Sequence, residues 1–301
     1  MHTYYVIVTC RNSEKDIETA ILSIFNQSIA PAYIIVIDDG STDRTPHILS
    51  KLKEKLSNLH VITNPDLGYD IGRIVSNWNK AIRLTDEKGL EKTDFHMIAT
   101  DDTVYEENYA KNIFMFINEN PQIVISSGNY DQNNYVAPHG AGRFVNNDFF
   151  EKYHKFYPEI MGYESFILHA ARKEGYGYAI AQNARFKHTR MLGIDHGFKE
   201  FGASMRALGY HPLFVLSKLF FDIIKNKPIG RFGTLSILYY YLTYRPKKNG
   251  YNSFYQQDVR DYIRKTQLNH FRNKIKRLPR NVAQQMISQI HFTNTKKGPE
   301  V

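Results

Sequence analysis

The chain has 301 residues, of which 42% are hydrophobic and 14% aromatic, which excludes a mainly disordered protein and allows one large α/β domain with an extension. The net charge of +9 is uneven, because residues 203–301 carry 18 lysines and arginines against 4 aspartates and glutamates, whereas residues 1–202 carry 21 against 26. A single cysteine and a start without a secretory pattern argue against an exported protein, so we expect a cytoplasmic one.

Short apolar, β-branched runs alternate with helical patterns over the first half of the chain. Such alternation predicts parallel strands joined by right-handed crossovers, hence a doubly wound, Rossmann-like sheet whose ligands lie beyond the carboxyl ends of the strands. Thr45 and Pro46 predict the N-cap and first turn of the second helix. The predicted strands are Tyr4–Thr9, Ile34–Asp38, His60–Thr63, His96–Thr100 and Ile123–Ser127, and the predicted helices are Glu14–Asn26, Pro46–Leu56, Ile71–Thr85 and Glu106–Asn118.

Polar residues follow three of these strands at the point where each one ends. Thr9 closes the first strand, Asp38 and Asp39 close the second, and Asp101 and Asp102 follow the fourth. One aspartate pair alone is explained by a turn, but three successive polar strand ends predict a ligand site. Carboxylates facing a nucleotide diphosphate imply a bridging cation, and hard oxygen ligands favour Mn²⁺ or Mg²⁺.

The alternation stops after residue 129, where a glycine-rich stretch at 138–143 leads into an aromatic segment at 147–175 that includes a helix predicted over Ile167–Glu174. We place a domain boundary near residue 202. Residues 1–202 would form the catalytic domain, with a nucleotide-binding half at 1–128 and an acceptor half at 129–202, and residues 203–301 would form a basic, aromatic, helical extension.

The segments VIVTCRNSE at 6–14, AILSIFNQ at 20–27 and IIVIDDGSTDRT at 34–45 resemble, in order and spacing, the family-2 inverting glycosyltransferases. The resemblance continues through Gly72-Arg73 and the ATDD motif at 99–102, and covers roughly residues 3–200. It implies a GT-A fold and an enzyme that transfers a sugar from a nucleotide-diphosphate sugar to a glycan or lipid-linked acceptor, such as a precursor of a surface polysaccharide.

The resemblance also implies a role for individual residues. Thr9 and Asp39 would contact the nucleoside, Arg73 the base or diphosphate, Asp101 the ribose, and Asp102 the metal, in a motif that reads Thr-Asp-Asp where many members have acidic-x-acidic. His188 would approach the metal or diphosphate, with His196 as a competitor. Glu164 matches the position of the general base that inverting transfer requires, although Ser165 replaces a second acidic residue.

Several other polar side chains have less specific explanations. Arg143, Lys187 and Arg190 could contact phosphate, but we interpret them as solvated surface charges. His139 and Asp148 could line an acceptor pocket, yet the polarity of a loop accounts for both.

The extension contains two apolar, aromatic segments, at 207–224 and 232–244, which are interrupted or too short to span a bilayer. Two interpretations remain open. The segments could lie in the interface of an anionic membrane, which would make the protein peripheral on the inner face of the cell membrane. Alternatively, they could pack onto the catalytic domain or form the surface of a homo-oligomer.

Three other functions are compatible with parts of the sequence. One is a catalytically inactive nucleotide-binding scaffold, since the acidic motif is atypical. A sugar-phosphate nucleotidyltransferase also uses a nucleotide-binding sheet and a divalent cation, but it would need a glycine-rich loop near the N-terminus. The basic tail could serve a non-enzymatic nucleic-acid-binding protein. No recognisable nucleic-acid-binding motif supports that reading, so we expect no specific nucleic acid partner.

Overall fold

The protein was analysed as a computed structural model that describes residues 2–68, 70, 72–130, 137–190, 199–224, 230–245 and 254–276. The chain divides into two compact units, the first formed by Met1–Phe198 and Arg245–Ser253 and the second by Lys199–Tyr244 and Phe254–Val301. The second unit thus begins a few residues before position 202.

The first unit contains strands and helices in alternation. Its strands are β1 (Tyr4–Cys10), β2 (Ile34–Asp38), β3 (Leu59–Thr63), β4 (Phe95–Thr100), β5 (Thr103–Tyr105), β6 (Ile123–Tyr130), β7 (Arg143–Asn146) and β8 (Gly177–His188). Its helices are α1 (Ile17–Phe25), α2 (Thr45–Lys55), α3 (Arg73–Glu87), α4 (Tyr109–Glu119), α5 (Asn147–Tyr153) and α6 (Tyr163–Lys173).

These strands form one sheet in the order β3-β2-β1-β4-β7-β6-β8-β5. β1 pairs in parallel with β2 and β4, and β2 with β3, which confirms the predicted doubly wound half. Beyond β4 the sheet is mixed, because β7 runs antiparallel to both of its neighbours and β5 runs antiparallel to β8, while β6 and β8 are parallel. The carboxyl ends of β2, β1 and β4 therefore meet at one edge, as the topology requires.

The alternation of side chains along each strand builds a core on both faces of the sheet. In β1, Val6 and Val8 pack with the apolar sides of α1, α2 and α4, whereas Tyr5 and Ile7 pack with α3, α5 and α6. Cys10 is buried in the first of these clusters. Helices cover both faces, so the strand ends are the accessible edge for a ligand.

Several local features differ from the predictions, and the short strands β5 and β7 were not predicted. Thr45 is not the N-cap of α2, since the helix begins at Thr45 and its Oγ1 accepts a hydrogen bond from the Ser13 N–H at 2.8 Å. Helix α6 begins at Tyr163, four residues earlier than predicted, after Gly162 in a left-handed conformation with φ 95°. Strand β8 was not predicted, because its three alanines are weak strand formers and its partners lie far away in sequence.

The second unit is helical within its described residues, as predicted for the extension. It contains α7 (Lys199–Ala207), α8 (Pro212–Ile224), α9 (Gly230–Thr243) and α10 (Gln257–Lys276). Helix α7 packs closely on α9, because a β-carbon at Gly202 would lie 2.3 Å from the Ile237 carbonyl oxygen. None of the described helices combines the length and the apolar character needed to cross a bilayer.

Candidate active site

Three adjacent strands end at the same level of the sheet. Thr9 of β1 is in register with Ile37 of β2 and with Thr100 of β4. The residues that follow these strands therefore surround one crevice. The hydroxyl oxygen of Thr9 is buried at its base and has no hydrogen-bond partner within the described part of the chain.

Of the two aspartates after β2, Asp38 has a local structural role. Its Oδ1 accepts hydrogen bonds from the Ser41 N–H at 2.9 Å and from the Ser41 hydroxyl at 2.6 Å. This Asx turn contains Gly40 at φ 75°, where a β-carbon would lie 2.6 Å from the Pro65 carbonyl oxygen. The turn thus fixes the direction in which Asp39 leaves the strand.

Asp39 is the centre of a buried polar cluster. The Arg73 guanidinium donates to its Oδ2 from both Nε, at 3.1 Å, and a terminal nitrogen, at 2.9 Å. The amides of Asn64 and Asn77 both donate to Oδ1 at 3.2 Å. Burial acts to raise the pKa of Asp39, but these hydrogen bonds and the arginine charge hold it below its usual value. Asp39 is therefore a fixed anion.

The segment that follows β1 contacts both the turn after β2 and the carboxylate of Asp101. Arg11 donates to the carbonyl oxygens of Asp39 and Gly40 and to the Asp66 carboxylate at 2.7 Å. Two residues later, the Ser13 hydroxyl donates to Oδ2 of Asp101. Sequence reasoning assigned no role to Arg11 or Ser13, although both lie directly after a strand that ends in the crevice.

Asp101 and Asp102 share a cation. A terminal nitrogen of Arg190 lies 2.8 Å from Oδ1 of Asp101, and its Nε lies 3.6 Å from Oδ2 of Asp102 and 3.6 Å from Oδ2 of Asp16. Burial raises the pKa of Asp101 despite the opposing effects of Arg190 and Ser13. Arg190 is 45% exposed, as expected from the sequence for a surface charge, but its guanidinium also reaches three carboxylates, which the sequence did not indicate.

Asp102 and His188 meet through strand pairing. The antiparallel register of β5 and β8 places Thr103 opposite His188, whose Nδ1 lies 3.4 Å from Oδ1 of Asp102. The Thr100 hydroxyl donates to the same oxygen at 2.8 Å. Burial acts to raise the pKa of Asp102, but His188, Thr100 and the charge of Arg190 lower it below its usual value. The competing His196 lies outside the described residues.

Asp102 and His188 can supply part of the ligand set of a divalent cation. Within the described part of the chain no group of three or more His, Cys, Asp and Glu side chains is placed to hold a metal ion. Asp102 and His188 offer one carboxylate oxygen and one imidazole nitrogen 3.4 Å apart, which is compatible with two ligands of a single ion. Oxygen atoms of a diphosphate or of water would have to supply the remaining positions.

Glu164 lies in the first turn of α6 and is exposed. Its carboxylate packs against Gly140, where a β-carbon would stand 2.7 Å from Oε1. The neighbouring His139 ring contacts Tyr130 and Phe186, and both of those rings contact His188. The glycine-rich loop thus connects the surroundings of Glu164 with those of His188.

The remaining polar candidates differ in how far their side chains are buried. Arg143 is not a surface charge as predicted, because it is 2% exposed and donates to the carbonyl oxygens of Pro138, His139 and Glu164. It therefore ties the glycine-rich loop to α6. Lys187 and Asp148 are exposed. Burial, followed by the charges of Arg143 and His188, lowers the pKa of His139 to about 4.

Comparisons with known proteins identify the family and the fold. The family model described as "Glycosyl transferase family 2" matches residues 5–177. The mannosyltransferase PcManGT from Pyrobaculum calidifontis, solved with GDP-Man and Mn²⁺, is 13% identical with a TM-score of 0.56, over 98% of this chain and 81% of its own. TarS 1-349 from S. aureus is 18% identical with a TM-score of 0.49, over 80% of this chain and 70% of its own.

A structure of the same TarS segment in complex with UDP-GlcNAc is 19% identical with a TM-score of 0.49. At these identities the neighbours inform the fold alone, which for PcManGT extends over nearly the whole chain. No curated protein matches the sequence.

Proposed function

Because this chain belongs to glycosyl transferase family 2, we propose that it catalyses inverting, metal-assisted transfer of a sugar from a nucleotide-diphosphate sugar to a glycan or a lipid-linked acceptor. The observation that carries this proposal is the position of Asp39 beyond β2 and of Asp101 and Asp102 beyond β4, the two strands that flank β1, with a cationic partner for each carboxylate. Family membership sets aside the nucleotidyltransferase and the non-enzymatic alternatives.

The nucleoside would bind between β1 and β2. Asp39 stays ionised and held by Arg73, so its Oδ1 would accept an N–H group from a uracil, thymine or guanine edge in place of one of the amides that now donate to it. The buried hydroxyl of Thr9 borders the same space. Arg73, whose Nε and one terminal nitrogen donate to Asp39, would contribute positive charge near the base or the diphosphate.

The diphosphate would lie over the carboxylates that follow β4. Asp101 would accept a hydrogen bond from a ribose hydroxyl, and Asp102 with His188 would hold a divalent cation, Mn²⁺ or Mg²⁺. When bound, such an ion would offset the negative charge that develops on the leaving diphosphate. Arg190 adds a second positive group at the same carboxylates.

The acceptor would approach from the side of α6. Its hydroxyl oxygen attacks the anomeric carbon, the bond from that carbon to the diphosphate oxygen breaks, and the proton of the hydroxyl passes to the Glu164 carboxylate. Glu164 is exposed at a helix N-terminus and is fixed against Gly140, which suits a base that must meet a substrate from solution.

The cation requirement can be tested without knowing the sugar. We expect GDP or UDP to bind measurably by calorimetry with Mn²⁺ and much more weakly with a chelator, because Asp101 and Asp102 then face the phosphates with Arg190 as their main compensation. Asp102→Asn should weaken the Mn²⁺-dependent component more than Asp101→Asn does. Equal affinity with and without Mn²⁺ for both nucleotides would remove the metal from the proposal.

A further inference from the structure

Helices α8 and α9 of the second unit turn apolar side chains outward. Their buried sides are ordinary, with Val215 and Leu219 enclosed in α8 and Ile237 and Tyr241 enclosed in α9. The opposite side of each helix is apolar as well, although it is exposed. A helix on the surface of a soluble protein normally presents polar residues there.

The exposed apolar residues follow the same spacing in both helices. In α8 four of them lie at i, i+3, i+7 and i+10 from residue 213, with Phe221 beside them at i+8. In α9 they lie at i, i+3, i+7 and i+10 from residue 232, so each helix presents a stripe of this spacing. Phe232 is 90% exposed, and most of the others are between 50 and 61% exposed. The outward stripe consists of Leu213, Leu216, Phe220, Phe221 and Ile223 in α8 and Phe232, Leu235, Tyr239 and Leu242 in α9.

Neither helix, as described, is long enough to span a membrane. Helix α8 has 13 residues and α9 has 14, which corresponds to about 20 Å each, against a hydrocarbon core of about 30 Å. An apolar stripe on a helix of this length is instead suited to lie in the plane of a membrane interface.

The charge of the sequence around α8 and α9 indicates which kind of surface the apolar stripe would bind. In the sequence, the segments 223–231 and 244–257 that flank α9 contain six basic residues and no acidic residue. Residues 203–301 as a whole carry 18 basic against 4 acidic residues. A second copy of the chain would bring two such positive segments together, whereas an anionic lipid surface would attract both.

We propose that the outward stripe of α8 and α9 binds the surface of an anionic membrane, with its apolar side chains inserted among the acyl chains and with the excess positive charge of residues 203–301 attracting the headgroups. The inference does not depend on the proposed catalytic function, because the binding it describes needs neither nucleotide nor acceptor. It would place the enzyme at the surface where a lipid-linked acceptor resides.

Vesicle flotation of the full chain tests the proposal. We expect flotation with vesicles of 70% phosphatidylcholine and 30% phosphatidylglycerol, and less with pure phosphatidylcholine. The double variant Phe232→Ser, Leu235→Ser should bind the anionic vesicles at least about tenfold more weakly, since two large apolar groups no longer leave water. The control Met115→Ser changes a similarly exposed apolar residue on α4 of the first unit, and should bind as the unchanged protein does.

A fluorescent variant reports insertion directly. The chain has one tryptophan, Trp78, which is buried in the core of the first unit, so Phe232→Trp adds a single probe on the stripe. Anionic vesicles should shift its emission to shorter wavelength, and brominated acyl chains should quench it. Unchanged emission on adding vesicles would overturn the proposal. So would equal flotation of the double variant, or a dimer in light scattering that this variant alone abolishes.

Discussion

The carboxylate of Glu164 lies against the α-carbon of Gly140, so that a β-carbon at residue 140 would stand 2.7 Å from Oε1 and 2.9 Å from Cδ. The contact reaches only the end of a flexible side chain. A larger residue would therefore displace the carboxylate without disturbing the backbone of α6.

Gly140→Ala should accordingly lower transfer while leaving the free energy of unfolding nearly unchanged. The methyl group forces Glu164 out of its position, and misplacement of a reacting group by about 1 Å can cost on the order of 10² in rate. Steady-state kinetics and thermal unfolding measure the two effects. In the double variant with Glu164→Gln the loss should not add to that of Glu164→Gln alone, and full additivity would show that the glycine acts elsewhere.

Glu164→Gln keeps the side-chain volume but removes the proton acceptor. If Glu164 is the general base, kcat should fall by ~10²–10⁴ while donor affinity changes little, as expected for a group that acts in the transition state. Glu174→Gln, at the opposite end of the same helix and also exposed, is the matched control. Near-normal transfer by Glu164→Gln would assign the base to another carboxylate.

Arg190→Gln should distinguish the effect of the Arg190 guanidinium at Asp101 and Asp102 from the effect of a bound Mn²⁺. Without the guanidinium, Mn²⁺ no longer competes with a bound cation, so the nucleotide-free variant should bind Mn²⁺ more tightly. Nucleotide diphosphate should bind the variant more weakly in the presence of chelator, because its phosphates then face uncompensated carboxylates. Calorimetry measures both, with Lys187→Gln as an exposed control. Unchanged Mn²⁺ affinity would argue against Asp102 as a ligand.

Asp39→Asn should weaken both folding and nucleotide binding. It removes the negative charge and replaces one acceptor oxygen by an NH₂ group, so part of the hydrogen bonds from Arg73, Asn64 and Asn77 is lost, and each buried donor left without an acceptor costs about 1–3 kcal/mol. Denaturant unfolding and calorimetry with nucleotide are the measurements. Asp66→Asn breaks a more exposed pair with Arg11 and should cost less, because solvent screens the charges of an exposed ion pair. A smaller loss for Asp39→Asn than for Asp66→Asn would contradict the buried cluster.

Buried histidines should make folding sensitive to acid. Burial lowers the pKa of His96 to about 4, although its bond to Asn147 acts in the opposite direction, and burial likewise lowers the pKa of His139, His154 and His169 to about 4. Between pH 6.5 and 4 the unfolded chain binds more protons than the folded one, so these groups stabilise the fold above pH 6.5 and lose that contribution as the pH falls toward 4.

The contribution of His96 can be isolated by comparing the unfolding free energy of the protein and of His96→Gln at pH 7 and pH 5. The variant should lose part of the acid dependence, since one of the four imidazoles is gone. Trp78, which contacts the His96 partner Tyr157, provides the fluorescence signal for unfolding of the first unit. An identical pH dependence in both proteins would show that His96 does not titrate in this range.

Local sequence was sufficient to predict the parallel half of the sheet and the residues at its edge. Asp39 and Asp101 follow strands whose β-branched runs are unambiguous, and parallel strands place their carboxyl ends together. The second half of the sheet, beyond β4, was predicted less well. Strand β8 contains three alanines, and its pairing with β6 shifts register twice, so no local period indicated it. The early start of α6 depends on a left-handed glycine that the helical pattern does not include.

The sequence by itself determined which strands end in carboxylates, because that depends on neighbours within a few residues. Only the tertiary structure decided what those carboxylates contact. Arg190 reaches Asp101, and His188 reaches Asp102, across more than 80 residues through the β5–β8 pairing, and no spacing along the chain encodes such contacts. Similarly, the hydropathy of α8 and α9 is visible in the sequence. Which of their apolar faces is buried depends on the helices they pack against, which is a property of the folded chain.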